Sequence, residues 1–247
     1  MPDNARPVLI LTRPALAAAR FRKDAAAMLV DVDILAAPVL DIVPLPVTAL
    51  PRGAGDYRGV IFTSENGAAQ AARLGLPTDL PAWCVGGQTA KAAQAAGFAT
   101  HIAGGDADSL VAMMTLAGAG APLLHIRGAH ARGAVAARLT AAGLPTDEVV
   151  AYDQAAIPLP PAVAQSLSGP QPVVLALYSP RSAALLRAAL PLPQVAVHLA
   201  AISAAAAAPF DDWQAAGHLA SRHIASAPLG PEMQATVASA IARARGV

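Results

Sequence analysis

The chain has 247 residues, of which 55% are hydrophobic, 13% charged and 4% aromatic, with a formal net charge of +1. Soluble domains are roughly 25% charged and disordered chains are charge-rich and apolar-poor, so this composition excludes disorder. Lys23 and Lys91 are the only lysines and no basic stretch occurs, which argues against a nucleic-acid partner held by many phosphate contacts.

β-Branched and leucine-rich runs alternate with alanine-rich helical patterns. The pattern predicts a strand at Val8–Leu11, a helix over Ala15–Met28 and a strand at Val32–Ala36. The run APVLDIVPLPV follows, with Pro38, Pro44 and Pro46. Proline removes donors and stops helices, so this reads as an extended connector. Strands are then predicted at Val60–Thr63, Trp83–Val85, Thr100–Ala103, Leu123–Ile126 and Val149–Tyr152. Helices between them start near Glu65 and cover Gln88–Ala96, Ser109–Ala117 and Arg132–Ala142. A second proline-rich connector, AAIPLPPAV, comes next. After it the pattern predicts strands at Val173–Tyr178, Val195–Ala200 and His223–Ser226. The helices there are Ser182–Leu190, Ala204–Ala216 with Pro209 inside or at its boundary, and the closing Pro231–Arg245. Strands alternating with helices of this length indicate βαβ units and parallel sheets. In such folds ligands bind beyond the carboxyl ends of the strands.

The single cysteine, Cys84, allows no internal disulfide. It lies in the apolar run AWCV and reads as a buried structural thiol. The first residues lack a basic n-region, and no run approaches the ~20 strongly apolar residues of a membrane span. A cytoplasmic address without membrane partners is therefore expected.

The sequence echoes itself. Gly59-Val-Ile-Phe-Thr-Ser64 resembles Val174-Leu-Ala-Leu-Tyr-Ser179, each a strand ending in a serine that opens a helix. A second strand follows each, ending at Gly86 and at Ser203. Leu9-Ile-Leu-Thr-Arg13 likewise resembles Leu124-His-Ile-Arg127, and the strand after each arginine runs into a proline-rich connector. Two similar α/β lobes joined by two extended crossings are expected, with a ligand in the cleft between them.

Serine, threonine and main-chain N–H groups at strand-to-helix turns make anion sites, because the helix dipole and the first free N–H groups face outward. The alternative is capping, and Thr12, Ser64 and Ser203 stand where caps are expected. Arg13 and Arg127 suit bidentate pairing with a carboxylate, or a salt bridge. Tyr152 ends a strand. Its phenol can donate a proton to a leaving oxygen, or its ring can pack at the lobe junction. The six histidines show no metal-binding spacing, and His125 and His198 read as satisfied core residues. Glutamate occurs only at Glu65, Glu148 and Glu232, so no carboxylate-rich metal cluster is expected. Neither a G-x-S-x-G elbow nor a phosphate-binding glycine loop follows the first strand.

In order along the chain stand Leu11-Thr-Arg-Pro14, Phe62-Thr-Ser-Glu-Asn66 with Gly67-Ala68, and Val85-Gly-Gly-Gln-Thr-Ala90 with Gly97-Phe98. Ile126-Arg-Gly128 with Arg132 and Leu139, Val149 to Tyr152, Tyr178-Ser-Pro-Arg-Ser182, Ala201-Ile-Ser203 and Ala225-Ser-Ala-Pro228 complete the set. Taken together and in this order, these motifs resemble the uroporphyrinogen-III synthase family over essentially the whole chain. The resemblance implies an α/β fold of two flavodoxin-like lobes with parallel sheets, joined by a two-stranded connector. It places residues 1–38 plus 157–247 in one discontinuous lobe and 42–153 in the other, with connectors near 38–46 and 153–161.

The resemblance further implies a lyase reaction: closure of the linear tetrapyrrole hydroxymethylbilane to uroporphyrinogen III, with D-ring inversion and loss of water. It implies no cofactor and no metal. Tyr152 would assist loss of the hydroxyl. Thr12, Arg13, Ser64, Asn66, Gly86, Thr89, Arg127, Gly128, Ser179 and Ser203 would bind the eight-carboxylate substrate. A monomer is expected. The sequence departs from the family pattern at Ala206, where a threonine is common. The alternative function is a non-catalytic bilobal module that binds a small ligand.

Overall fold

A computed structural model describes residues 6–131 and 133–246. In chain order the elements are β1 (Val8–Leu11), α1 (Ala15–Asp24), β2 (Asp33–Ala36), β3 (Leu40–Pro44), β4 (Gly59–Phe62), α2 (Glu65–Ala71), β5 (Pro81–Cys84) and α3 (Gly87–Ala95). Then come β6 (Ala99–Ile102), α4 (Ala107–Leu116), β7 (Leu123–Gly128), α5 (Val135–Ala141), β8 (Thr146–Ala156), α6 (Pro161–Ser166) and β9 (Val173–Leu177). The last are α7 (Pro180–Ala189), β10 (Val197–Ala201), α8 (Ala204–Ala207), α9 (Asp211–Ala215), β11 (Leu219–Ile224) and α10 (Gly230–Ala244).

The chain divides into two compact units, one of Met1–Asp41 with Ala156–Val247 and one of Ile42–Ala155. The first holds a five-stranded sheet in the order β11-β10-β9-β1-β2, parallel throughout. The second holds a six-stranded sheet in the order β3-β8-β7-β4-β5-β6. Its β4 to β8 are parallel. β3 runs against β8, since the N–H of Leu45 donates to Ala151 O and that of Ile157 to Val39 O.

The two parallel sheets share one spatial plan. Reading β9, β10, β11, β1, β2 in the first against β4, β5, β6, β7, β8 in the second matches them strand for strand. The first sheet reaches this plan by adding the N-terminal β1 and β2 to strands from the end of the chain. The echo in the sequence is therefore a circularly permuted repeat.

Central strands are apolar on both faces because helices cover both faces. All five residues of β9, VVLAL, are buried. Val173, Leu175 and Leu177 pack in the cluster with Trp213 and Phe210, while Val174 and Ala176 pack on the opposite face with Phe21, Val237 and Ile241. In the second unit Phe62, Leu124 and Ile126 pack on one face, and Ile61, Leu123 and Leu139 on the other. Burying each such large side chain contributes about 1.5–3 kcal/mol. Cys84 is fully buried there, and burial pushes its thiol up to about 11.

Several boundaries differ from the expectations. The first proline-rich connector contains β3, because Pro44 stands at its last position, where a missing N–H is tolerated. The second contains α6, whose Pro161 occupies the first helical position, where proline is already set for the helix. α1 stops at Asp24 and a single 3₁₀ turn, Ala26–Leu29, replaces its expected last turn. Pro209 breaks the expected Ala204–Ala216 helix into α8, a 3₁₀ turn over Ala208–Phe210, and α9. The last strand begins at Leu219 rather than His223. β8 is longer than Val149–Tyr152, and α5 starts at Val135. Arg132, the expected start of that helix, lies outside the described residues.

Among the described residues no helix is long and apolar enough to cross a membrane.

Candidate active site

The carboxyl ends of the second sheet surround a cavity of about 510 Å³. Its lining includes Thr63 and Ser64 after β4, Val85 after β5, Asp106 and Asp108 at the start of α4, Gly128 in β7, His130, and Tyr152 and Gln154 in β8. The order of strands reverses between β4 and β7, so the site stands where open α/β sheets bind ligands.

A bulge aims Tyr152. The β7–β8 register runs Ile126 to Val149 and Arg127 to Val150, then jumps to Gly128 opposite Tyr152. The extra residue, Ala151, disturbs the alternation, so that Ala151 and Tyr152 are both buried. The Tyr152 ring lies directly on Gly128. A Cβ at Gly128 would stand 2.6 Å from the Tyr152 Cε2 and 2.7 Å from its Cζ, so any side chain here would have to displace the ring. Burial pushes the Tyr152 phenol up, while Ser64 and the Gly128 backbone act in the opposite direction. The phenol therefore stays protonated at neutral pH and is a proton donor.

Beside it lies a polar cluster that crosses three strands. His125 is 1% exposed. Its Nε2 is 3.1 Å from Thr63 Oγ1, and its Nδ1 is 3.1 Å from Glu148 Oε1. Arg127 Nε stands 3.0 Å from Glu148 Oε2, and its Nη1 donates to Gly128 O at 3.1 Å. The hydrogen bond from His125, followed by the charge of Arg127, holds the Glu148 carboxyl below the usual range. An ionised carboxylate only accepts, so Nδ1 carries a proton, and in the neutral imidazole Nε2 is left to accept from the Thr63 hydroxyl.

The expected site residues sort into three groups. Tyr152, Ser64 and Gly128 share the cavity. Ser64, Ser179 and Ser203 are helix N-caps, accepting from the N–H groups of Asn66, Ser182 and Ala206 at 3.1, 3.1 and 3.2 Å. The cap at Ser203 is made to Ala206, where family members often carry threonine. Gly86 caps α3 without a side chain, and Thr89 is buried within that helix.

Thr12 does not cap. Its hydroxyl donates to Ala176 O at 3.1 Å across the β1–β9 pair, and α1 starts later, after Pro14. The Arg127 guanidinium is engaged by Glu148 within its own unit. The Arg13 guanidinium lies over the Tyr178 ring, 4.4 Å from its centroid.

Thr63 falls in the strand-end motif Phe62-Thr-Ser-Glu-Asn66 without an assigned role, and Glu148, Asp106 and His130 were not singled out from sequence. Asp106 caps α4 through Ser109, whose side chain and N–H hold its carboxyl low. Asp108 pairs with Arg138 at 2.8 Å, and His130 with Asp153 at 3.4 Å. His125 is a satisfied core histidine as expected, but one of its partners faces the cavity. Only the strand register, with His125 opposite both Ile61 and Glu148, brings these residues together. Among the described residues no group of His, Cys, Asp and Glu could hold a metal ion.

No curated protein gives a match. Among solved structures, uroporphyrinogen-III synthetase from Helicobacter pylori 26695 is similar with a TM-score of 0.63 at 14% identity, over 95% of this chain and 99% of that one. A mutant uroporphyrinogen III synthase from the extremely thermophilic bacterium Thermus thermophilus is similar with a TM-score of 0.55 at 14% identity, over 96% and 98%. These likenesses show the shared fold. The family model for uroporphyrinogen-III synthase HemD matches residues 30–226, most of the chain and all of the cavity described above, and on that match the chain belongs to the uroporphyrinogen-III synthase family.

Proposed function

We propose that this chain closes hydroxymethylbilane to uroporphyrinogen III, with inversion of the D ring and loss of water. The observation that carries the reading is the Tyr152 phenol, held protonated over Gly128 in a cavity at the carboxyl ends of a parallel sheet. The chemistry needs a donor for the departing hydroxyl and a surface that holds a flexible tetrapyrrole in one geometry. Loss of hydroxide leaves an azafulvenium cation. Asp106 and Asp108 in the cavity lining suit that cation and the pyrrole N–H groups.

The substrate's carboxylate arms are bound at the helix starts. Ser64, Asn66, Gly86 and Thr89 supply those turns in the second unit and Ser179 and Ser203 in the first, with Thr12 and Arg13 following the end of β1. Main-chain N–H groups at such turns bind anions without many lysines. Arg127 shapes the site through Glu148 and the Gly128 carbonyl. The reaction uses no cofactor, and the enzyme acts as a cytoplasmic monomer with two lobes divided near residues 38–46 and 153–161.

Freshly prepared hydroxymethylbilane tests the reading. Catalysed formation of the type III isomer is expected. Type I alone, appearing at the spontaneous rate, would contradict it.

A further inference from the structure

The Thr63–His125–Glu148 cluster has a counterpart in the first unit, in which apolar side chains stand in place of the imidazole and the carboxylate. His125 pairs with Ile61, three residues before the helix cap Ser64. Leu11 pairs with Ala176, three residues before the cap Ser179. Leu11 thus occupies the place of His125, and Tyr178 that of Thr63. Ala36, paired with Leu11, occupies the place of Glu148, paired with His125. In one unit the fold fills the places of the imidazole and the carboxylate with Leu11 and Ala36. In the other it buries an imidazole against a carboxylate, which costs desolvation that apolar side chains avoid. Packing alone therefore does not account for the polar set.

We infer that Thr63, His125 and Glu148 form a proton relay, whose cavity end is the Thr63 hydroxyl and whose task is to take up the proton released on ring closure. The inference rests on the cyclase reading above. The protons balance. Tyr152 gives its proton to the departing hydroxide, which leaves as water. The cationic carbon first bonds to the substituted α-carbon of ring D, giving a spiro intermediate. The bond from that α-carbon to its original bridging carbon then breaks and leaves the cation on that bridge, which closes onto the other α-carbon of ring D, the one bearing hydrogen. That C–H bond then breaks, its electron pair returning to the ring. The proton passes to Thr63 Oγ1 as the hydroxyl's own proton moves to His125 Nε2. The imidazolium is stabilised by the Glu148 carboxylate on its other side. Imidazolium and phenolate return to neutrality by proton exchange through water. One proton is supplied, one is recovered, and nothing is oxidised or reduced. Thr63 is the group that meets substrate, and His125 and Glu148 act through it.

The discriminating variant is Glu148→Gln. It keeps the size of the side chain and a hydrogen bond to Nδ1. A neutral amide can also donate to Nδ1, so the tautomer with a protonated Nε2 becomes available and the relay loses its acceptor. The Glu148 side chain is 33% exposed, so this variant is expected to fold. We expect kcat on hydroxymethylbilane to fall at least about tenfold with KM little changed, Thr63→Val to match it, and Thr63→Ser to stay within about threefold of the parent. Parent-like kcat in folded Glu148→Gln, or a Thr63→Ser no better than Thr63→Val, would overturn the relay while leaving the cyclase reading standing. A parent enzyme that forms only the type I isomer at the spontaneous rate would overturn both.

Discussion

The two units build the same five parallel strands and put them to different use. At the carboxyl ends of β9 and β1, the first unit places Tyr178 under the Arg13 guanidinium and seals the position with fully buried Leu11. At the carboxyl ends of β4 and β7, the second links Thr63, His125 and Glu148 by hydrogen bonds and pairs Glu148 with the Arg127 guanidinium, next to the cavity that holds Tyr152. The first unit's own cavity, about 380 Å³, opens beside Val8, Asp33 and Gly169, at the amino ends of its strands. One plan thus yields Leu11 beside an arginine-capped tyrosine in one copy and a set of proton-handling groups in the other. Strand order positions a site, but the side chains at three register positions decide whether it can do chemistry.

The largest effect should come from making the second unit resemble the first. Thr63→Val combined with His125→Leu removes the relay and its buried imidazole together. Turnover is expected to fall by about a hundredfold. Stability should hold or rise, because apolar replacement of a buried polar set is often neutral or stabilising. Urea unfolding beside the kinetics checks both halves. A large loss of stability would mean that the polar set is structural.

Gly128→Ala comes next. A methyl group in contact with the Tyr152 Cζ forces the ring out of place, so we expect turnover to drop by roughly ten- to a hundredfold, as for loss of the acid itself. Retained activity would show that the phenol needs no such seat.

A change of pH should separate the units. In the first, burial followed by neighbouring positive groups holds His198 and His223 below their ordinary 6.5. The unfolded chain then binds protons that the folded one refuses, so this unit loses stability as pH falls below 6.5. In the second, Glu148 lies below its ordinary 4.5, so its contribution is lost only as pH falls below that range, through its folded value. Amide exchange corrected for intrinsic rates should show β10 and β11 losing protection at pH about 5.5 before β7 and β8 do. Equal loss would contradict the assignment.

The smallest effect is expected at Thr12. Its hydroxyl serves one strand carbonyl, so Thr12→Val should cost about 1 kcal/mol of stability, read from the same urea curves.

Much of this fold was legible in the sequence, because strand and helix periods are local. The echo around Ser64 and Ser179 disclosed the repeat. What it did not disclose was the permutation, which depends on β1 and β2 joining strands far along the chain. β3 and α6 were hidden by proline, whose usual role as a breaker masked two positions where it is tolerated. Of the candidate site, the sequence showed Tyr152 as a strand-end tyrosine with both a proton-donor and a packing reading, and its place in the cavity depends on the bulge at Ala151. The relay was not legible. Thr63 and Glu148 stand 62 and 23 residues from His125 in sequence, and only strand register brings them to it. Thr12 was misjudged as a cap because the hydroxyl at a strand end serves equally well as a donor across the sheet.

Each unit carries one tyrosine, Tyr152 or Tyr178, at the carboxyl end of its sheet, and burial pushes both phenols up. Tyr152→Phe and Tyr178→Phe, compared side by side for the rate of type III isomer formation, test most directly whether the chemistry resides in the second unit. The account predicts a slowing of roughly ten- to a hundredfold for Tyr152→Phe and less than about twofold for Tyr178→Phe. Equal effects, or a larger loss at Tyr178, would contradict it.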